Sequence, residues 1–220
     1  MFNKKNLLII ISVNRSGTNN FFDNIQNITN YNLLSYYEIF NKAFYNEAGK
    51  WDDYFKKYNS KSKLEVLKKI AYYGKGHNKN LDIDIENDKN TITAFKIFND
   101  HITFNELIEI LLDECYNVRI IFMIRNIYDI YNSLYRSLEE NDWTSKRNYS
   151  LEKLDINKLL ENNKIKQIYD NKTYECFLFD TLNIVKKYNV IHKLIYFNQY
   201  KNYNINNYED LIKNLFHQTQ

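Results

Sequence analysis

Two short segments of the chain combine an arginine with hydroxyl and amide side chains, and each directly follows an apolar run. The first, at residues 12–20, reads Ser-Val-Asn-Arg-Ser-Gly-Thr-Asn-Asn and includes Arg15, Ser16, Gly17 and Thr18. If it joins a strand to a helix, the unpaired N–H groups of the helix N-terminus can hold a phosphate or sulfate. Gly17 permits close approach of the backbone, and Arg15 offers a fork of donors to an anionic oxygen. The segment predicts an anion-binding turn.

An ordinary capped helix is the alternative interpretation of this turn, with Thr18 or Asn19 as the N-cap residue. The turn is not the Gly-x-x-x-x-Gly-Lys-Ser/Thr loop of nucleotide triphosphatases, because one glycine is missing and Arg15 stands in place of the lysine. On its own, the turn leaves both interpretations open.

The second segment, at residues 125–133, reads Arg-Asn-Ile-Tyr-Asp-Ile-Tyr-Asn-Ser. Arg125 ends an apolar run, and Ser133 follows about two helical turns later. In a helix that starts near Asn126, Asp129 and Ser133 share one face at i, i+4 spacing. Arg125 and Ser133 would then converge on a second phosphate. The alternative is an ion pair between Arg125 and Asp129, with Ser133 as a small surface residue.

The elements that must position these segments begin with apolar, β-branched runs. Residues 7–13 form an apolar run that includes one serine, and residues 117–124 are strongly apolar at Val118 and from Ile120 to Met123. Such runs are typical of strands buried on both faces. Three further strands are predicted at residues 33–37, 91–98 and 192–200. Both arginine segments therefore come directly after a buried strand.

Helical patterns separate the strands. Residues 77–90 are the exception: an acidic run there predicts a solvated loop, with a cation site as the alternative. The helical patterns cover residues 20–28, 40–76, 104–112 and 126–139, two stretches within 151–188, and residues 208–216. Strands alternating with helices predict an α/β fold: a single-domain, three-layer parallel β-sheet flanked by helices. In such folds ligands bind beyond the carboxyl ends of the strands, which is where both arginine segments lie.

Composition limits the classes of protein. A chain of 220 residues with 44% hydrophobic and 26% charged residues suits one globular domain. The net charge of +3 is too small for a dedicated nucleic-acid binder and suits a small anionic ligand. The apolar run at residues 7–13 is too short for a membrane span and lacks a signal-peptide layout, and Cys115 and Cys176 cannot form a disulfide framework. These features predict a soluble cytoplasmic protein.

Taken together, the two arginine segments resemble the sulfotransferase family that uses 3′-phosphoadenosine-5′-phosphosulfate (PAPS). The resemblance is closer to the bacterial branch that modifies carbohydrates and lipids, and it implies the P-loop NTPase-like sulfotransferase fold. It implies that residues 15–20 hold the 5′-phosphosulfate and that Arg125 and Ser133 hold the 3′-phosphate. Many members have Pro before the cation and Thr-Trp or Thr-Thr after Gly-Thr, whereas this chain has Asn14, Asn19 and Asn20.

The resemblance also implies a catalytic base. Sulfuryl transfer is an in-line displacement in which Arg15 would neutralise charge on the bridging oxygen and a base would take the proton of the acceptor, with no metal required. Glu38, just past the predicted second strand, resembles the glutamate of the bacterial branch. His101 is the second candidate, because it follows the strand at residues 91–98 and an imidazole suits proton transfer. Aryl and steroid sulfotransferases carry their histidine two residues after a strand lysine, and counting from Lys96 that place is Phe98 here.

The adenine of the donor needs a flat apolar partner, and 16% of the residues are aromatic. Trp143 follows the second arginine segment, and Lys146 and Arg147 either reach the 3′-phosphate, as a basic segment does in the family, or face solvent. Tyr196 and Phe197 are predicted to lie in the core.

Three functions stay open at this level: a PAPS-dependent sulfotransferase, a P-loop kinase-like phosphoryl transferase, and a non-catalytic nucleotide-binding relative. The missing Gly-Lys-Ser/Thr motif counts against the phosphoryl transferase. Asn19 and Asn20 depart from the family pattern, so the non-catalytic relative stays possible. For a sulfotransferase, the acceptor would be a small molecule or a glycan. The placement of Glu38 favours a glycan or glycolipid.

Overall fold

A computed structural model describes residues 4–41, 59–73, 90–139, 154–200 and 202–217. Four sequence predictions lie wholly or mostly outside these ranges. They are the acidic loop at residues 77–90, most of the helical pattern at residues 40–76, the aromatic residue Trp143, and the basic pair Lys146 and Arg147.

Five strands form one sheet in which every neighbouring pair is parallel, in the order β2-β3-β1-β4-β5. The strands are β1 (Lys5–Ile11), β2 (Asn32–Ser35), β3 (Thr91–Ile97), β4 (Tyr116–Ile124) and β5 (His192–Tyr196). The apolar runs that predicted β1 and β4 form the centre of the sheet, where Ile9 is paired with Phe95 on one side and Ile120 on the other. The predicted all-parallel sheet is confirmed.

Helices connect the strands in the described parts of the chain. They are α1 (Thr18–Ile25), α2 (Lys63–Tyr73), α3 (Phe104–Leu112), α4 (Ile127–Glu139), α5 (Ile156–Leu160), α6 (Asn163–Asp170), α7 (Thr173–Lys187), α8 (Phe197–Tyr200) and α9 (Ile205–Phe216). None of them is long and apolar enough to span a bilayer, among the residues that the structure describes.

The two faces of the sheet bury separate apolar cores, because successive residues of a strand point to opposite sides. Leu7, Ile9 and Ile11 of β1 pack in the core that includes buried residues of α2 to α7. Leu8 and Ile10 pack in the other core, with buried residues of α1 and α9. The predicted arrangement of three layers, helices on both faces of a parallel sheet, is therefore confirmed.

Several predicted boundaries are wrong by a few residues, among them the second strand, which ends at Ser35 and not at Tyr37, and two differences are larger. The region at residues 151–188 holds three helices and not two, because Asp155 and Asn162 each accept hydrogen bonds from following backbone N–H groups and so begin new helices. The last strand ends at Tyr196, and residues 197–200 form the short helix α8. The change brings the aromatic side chains of α8 to the carboxyl edge of the sheet.

A buried arginine on β4 connects the sheet to the last helix. Arg119 is 6% exposed, and its Nε donates to the carbonyl oxygen of Leu215 at 2.6 Å, in the final turn of α9. Its Nη1 donates to the carbonyl oxygen of Val118 at 2.9 Å. Arg119 therefore serves as a C-terminal cap for α9 from within the sheet.

Candidate functional site

The turn between β1 and α1 is tightly curled at the carboxyl edge of the sheet. Arg15 and Gly17 both have left-handed backbones, with φ of 67° and 86°. The hydroxyl of Ser12 donates to the carbonyl oxygen of Met123 on β4 at 2.8 Å, and that of Ser16 donates to the carbonyl oxygen of Val13 at 2.7 Å. The two serine side chains are both fully buried, and their hydrogen bonds stabilise the conformation of the turn.

Helix α1 begins without a side-chain cap. Its N-cap residue is Gly17, which has no side chain to form a cap hydrogen bond, so the interpretation with Thr18 or Asn19 as N-cap is wrong. The N–H of Phe21 is bonded to the carbonyl oxygen of Gly17 at 3.3 Å. By helix geometry, the N–H groups of residues 18–20 have no acceptor within the helix and can bind an anion.

The arginines of the two segments meet. Nε of Arg15 donates to the hydroxyl oxygen of Ser133 at 3.0 Å, and Nη1 of Arg125 donates to the carbonyl oxygen of Arg15 at 2.8 Å. These contacts span 118 and 110 positions of the chain. We call the group formed by Arg15, Gly17, Arg125 and Ser133 the arginine corner.

Arg125 is held mainly by neutral groups. Its guanidinium lies 4.3 Å from the ring centre of Phe197, and its Nε is buried without a hydrogen-bond partner among the described residues. Burial lowers the pKa of Arg125, Asp129 opposes that shift, and the charge of Arg15 adds to it. A half-buried guanidinium whose Nε is an unused, buried donor is a place where an anion would be stabilised.

Helix α8 covers this corner. The hydroxyl of Tyr200 donates to the carbonyl oxygen of Gly17 at 2.9 Å. A Cβ atom built on Gly17 would lie 2.5 Å from Cε2 of Phe197 and would overlap the hydroxyl of Tyr200. The turn therefore requires glycine at position 17 because of its left-handed backbone and because α8 lies directly against it.

A cleft of about 270 Å³ opens beside the arginine corner. It is lined by Ile124, Arg125, Asn126, Asp129, Tyr196, Phe197 and Asn198. Tyr196 is 49% exposed, so its predicted place in the core is wrong: it ends β5, which lies at the edge of the sheet that the described strands form. Phe197 is partly buried and packs against the core of the α1 and α9 face. The cleft offers aromatic surface next to a cation.

On the other side of β1 lies a buried ion pair. Nζ of Lys96 lies 3.0 Å from Oε1 of Glu38 and also donates to the side-chain oxygen of Asn19 in the first turn of α1. Nδ2 of Asn41 donates to Oε2 of Glu38 at 2.8 Å. Burial lowers the pKa of Lys96, whose side chain is 1% exposed, and Glu38 opposes that shift. We call Asn19, Glu38 and Lys96 the lysine corner.

His101 lies buried behind the lysine corner. It is 1% exposed, its Nε2 is 3.7 Å from a carboxylate oxygen of Asp100, and its Nδ1 has no hydrogen-bond partner among the described residues. Burial lowers the pKa of His101, and the charges of Asp100 and Glu38 oppose that shift. His101 and Glu38 are thus close enough to influence each other electrostatically.

Asn14, where many sulfotransferases have proline, joins the turn to α7. Its side chain hydrogen-bonds to Tyr174, which is 3% exposed. Burial and the charge of Asp100 raise the pKa of Tyr174 to about 12, and the hydrogen bond to Asn14 opposes them. The asparagine therefore anchors the turn to the opposite face of the sheet from α1.

The structure thus brings together most of the predicted site residues. Arg15, Gly17, Arg125 and Ser133 share one corner, and Glu38 is linked through Lys96 to Asn19. Asn20 is exposed on α1, where its carbonyl oxygen accepts a hydrogen bond from Nδ2 of Asn24 at 2.9 Å.

The chain matches no protein-family model and no curated protein.

Sequence reasoning missed Tyr200 and Phe197, which hold Gly17 and Arg125 in place. A signal for them was present. They lie at the carboxyl end of the last predicted strand, residues 192–200, and the carboxyl ends of parallel strands form the ligand-binding edge.

Proposed function

We propose that the protein is a PAPS-dependent sulfotransferase that transfers a sulfuryl group to a hydroxyl or amine of its acceptor. The observation that carries this proposal is the arginine corner: Arg125 donates to the carbonyl of Arg15, and the side chain of Arg15 donates to Ser133. Groups that the resemblance assigns to opposite ends of one doubly phosphorylated nucleotide therefore lie within reach of the same molecule. A parallel sheet with an anion-binding turn after its central first strand supports the same function.

The nucleotide would bind along the carboxyl edge of the sheet. The free N–H groups at the start of α1 and Arg15 would hold the 5′-phosphosulfate, and Arg125 and Ser133 would hold the 3′-phosphate. The cleft beside Arg125 would take the adenine, with Tyr196 as an exposed aromatic surface.

In the proposed reaction, PAPS supplies the activated sulfuryl group: the bond from the acceptor oxygen to sulfur forms as the bond from sulfur to the bridging oxygen breaks. Arg15 would neutralise the negative charge that develops on the bridging oxygen. Glu38 would accept the proton of the acceptor. Its carboxylate already accepts from Lys96 and Asn41, and a carboxylate has about four lone-pair sites, so a further hydroxyl can bind to it. The proposed acceptor is a small molecule or a glycan.

A thermal-shift series tests the proposal. A ligand at about one hundred times its Kd stabilises a protein by about 2.7 kcal/mol, so binding is read as a rise in Tm. We expect stabilisation by adenosine 3′,5′-bisphosphate and none by ATP with Mg²⁺. The reverse pattern would favour the phosphoryl transferase. Transfer of labelled sulfate from PAPS to any member of a panel of sugars, glycolipids and phenols would exclude the non-catalytic relative.

The role of Glu38 is tested by Glu38→Gln, with His101→Asn as the parallel variant. Loss of a general base lowers turnover by about 100-fold or more. We expect that loss for Glu38→Gln, with bisphosphate affinity kept within about threefold because Glu38 does not belong to the arginine corner. Full turnover in Glu38→Gln together with lost turnover in His101→Asn would transfer the role of base to His101.

A further inference from the structure

Tyr200 makes a long-range hydrogen bond to the anion-binding turn between β1 and α1. It is fully buried on α8, and its hydroxyl donates to the carbonyl oxygen of Gly17 at 2.9 Å, 183 positions away in the sequence. The direction of this hydroxyl is fixed by the packing of its ring. The ring meets Phe21 edge-on with centroids 5.5 Å apart and Phe197 edge-on with centroids 5.2 Å apart.

The carbonyl that accepts this hydrogen bond belongs to the same peptide unit as the N–H of Thr18. A trans peptide is planar, and its C=O and N–H point in opposite directions. The carbonyl oxygen of Gly17 also accepts the N–H of Phe21 at 3.3 Å, so both of its lone pairs are in use. Whatever fixes the direction of the Gly17 carbonyl therefore also fixes the direction of the first free N–H of α1.

The hydrogen bond from Tyr200 matters because few other contacts in the turn set the orientation of the peptide plane between Gly17 and Thr18. Gly17 has a left-handed backbone with φ of 86°, and glycine adopts many conformations with similar ease. No side chain caps the first turn of α1. Ser12 and Ser16 bond to the carbonyls of Met123 and Val13, on the strand side of the turn.

We infer that Tyr200 is a positioning residue for the anion-binding turn, which acts through the Gly17 carbonyl to aim the N–H of Thr18 at the 5′ group of the nucleotide. The inference rests on the proposed function, because it concerns the turn that would bind that group. Tyr200 does not touch the ligand. It makes the turn ready for an anion before the anion arrives, which improves affinity by reducing the ordering that binding requires.

Tyr200→Phe tests the inference, with Tyr208→Phe as the matched control. Tyr208 is buried in the same core, and its hydroxyl donates to the carbonyl oxygen of Tyr200 at 3.3 Å and not to the turn. Affinities are measured for adenosine 5′-phosphate and adenosine 3′-phosphate. We expect Tyr200→Phe to weaken binding of the 5′-phosphate about fivefold to tenfold and of the 3′-phosphate less than about twofold, because one hydrogen bond near one subsite is lost. The control should change neither affinity by more than about twofold.

Equal weakening for both nucleotides, or no weakening for either, would overturn the inference. Hydrogen exchange in the ligand-free protein gives a second, independent measurement. The amide of Phe21, bonded to the Gly17 carbonyl, should exchange at least about fivefold faster in Tyr200→Phe than in Tyr208→Phe, compared at equal global stability. If the wild-type protein binds neither nucleotide, the proposed function fails. The exchange rate then still decides the inference, and an unchanged rate would refute it.

Discussion

The arginine corner and the lysine corner lie on either side of β1, and they treat buried positive charge in opposite ways. Lys96 is paired with the carboxylate of Glu38 at 3.0 Å, so the charge of that corner is compensated within the protein. Arg125 is held by a backbone carbonyl and an aromatic ring, both of them neutral. Asp129 acts on the half-buried Arg125 electrostatically but makes no close ion pair with it among the described residues, so the charge of Arg125 stays available to an external anion.

The comparison teaches which side of the turn would recognise the anion and which would only support it. Arginine stays protonated when buried and donates in a fixed fork, so it suits a corner that meets phosphate. Lysine changes its pKa readily when buried, and burial does lower the pKa of Lys96. The lysine corner therefore connects Glu38 to α1, and in the proposed function the arginine corner would carry the charge that binds the anion.

The largest expected effect comes from Gly17→Ala, which breaks the arginine corner by overfilling it. The added Cβ would overlap Phe197 and the hydroxyl of Tyr200, at a residue whose φ is 86°. We expect the free energy of unfolding to fall by about 3 kcal/mol, from backbone strain and overpacking together. Urea unfolding measures it, with Asn20→Ala, an exposed position three residues along α1, as the control. A loss below about 1 kcal/mol would show that α8 moves aside.

Next in size is Arg125→Ala, which removes the charge that distinguishes the two corners. Charge-assisted hydrogen bonds contribute about 1.5–3 kcal/mol, so affinity for adenosine 3′,5′-bisphosphate should fall by a factor of about 10 to 150. Calorimetry measures the affinity, and Arg136→Ala in the last turn of α4 is the control. Unchanged affinity in Arg125→Ala would mean that the arginine corner does not bind the nucleotide.

Lys96→Met tests the other side of the comparison. Breaking a buried ion pair leaves one charge without its partner, and because Glu38 keeps 18% side-chain exposure we expect a loss of stability of about 2 kcal/mol. Bisphosphate affinity should stay within about threefold. The double variant Lys96→Met/Glu38→Gln should recover at least half of the lost stability. A tenfold loss of affinity in Lys96→Met would erase the distinction between the two corners.

The smallest expected effect is the pH dependence that His101 adds behind the lysine corner. Burial lowers its pKa below the ordinary value of about 6.5, so between these two values the unfolded chain binds more protons than the folded chain. Stability therefore rises with pH across that window and falls on acidification. Between pH 7.5 and 5.5, His101→Gln should lose less stability than the wild-type protein. The two losses should differ by a factor of less than about ten in the folding equilibrium constant. His217→Gln, an exposed position, should keep the wild-type dependence.

Local patterns were sufficient to predict the strands and the two turns. β1 and β4 are apolar over nearly their whole length, and the arginine segments follow them directly, so parallel pairing alone brings Arg15 near Arg125. The caps that divide α5 from α6 were also present, at Asp155 and Asn162, but the apolar pattern runs through them. The helical periodicity was stronger than the cap signal, and the number of helices was underestimated.

Other features depend on contacts that no local pattern encodes. The exposure of Tyr196 follows from the position of β5 at the edge of the sheet, which is a property of strand order. The role of Tyr200 depends on the approach of α8 to a glycine 183 positions away. The pairing of Lys96 with Glu38 and Asn19 joins three separate segments. These interactions arise only when the whole sheet is assembled.

The hydrogen bond from Arg119 to α9 affects when the sheet can finish folding during translation. Strands β1 to β4 leave the ribosome well before α9, yet the guanidinium of Arg119 finds its carbonyl partner only in the final turn of that helix. Until then, this cation lies on an apolar face that α1 covers but that α9 has not yet closed. We expect the nascent chain to complete this face of the sheet only after residue 215 has emerged, so the last step of folding follows translation of α9 and does not accompany the synthesis of the sheet.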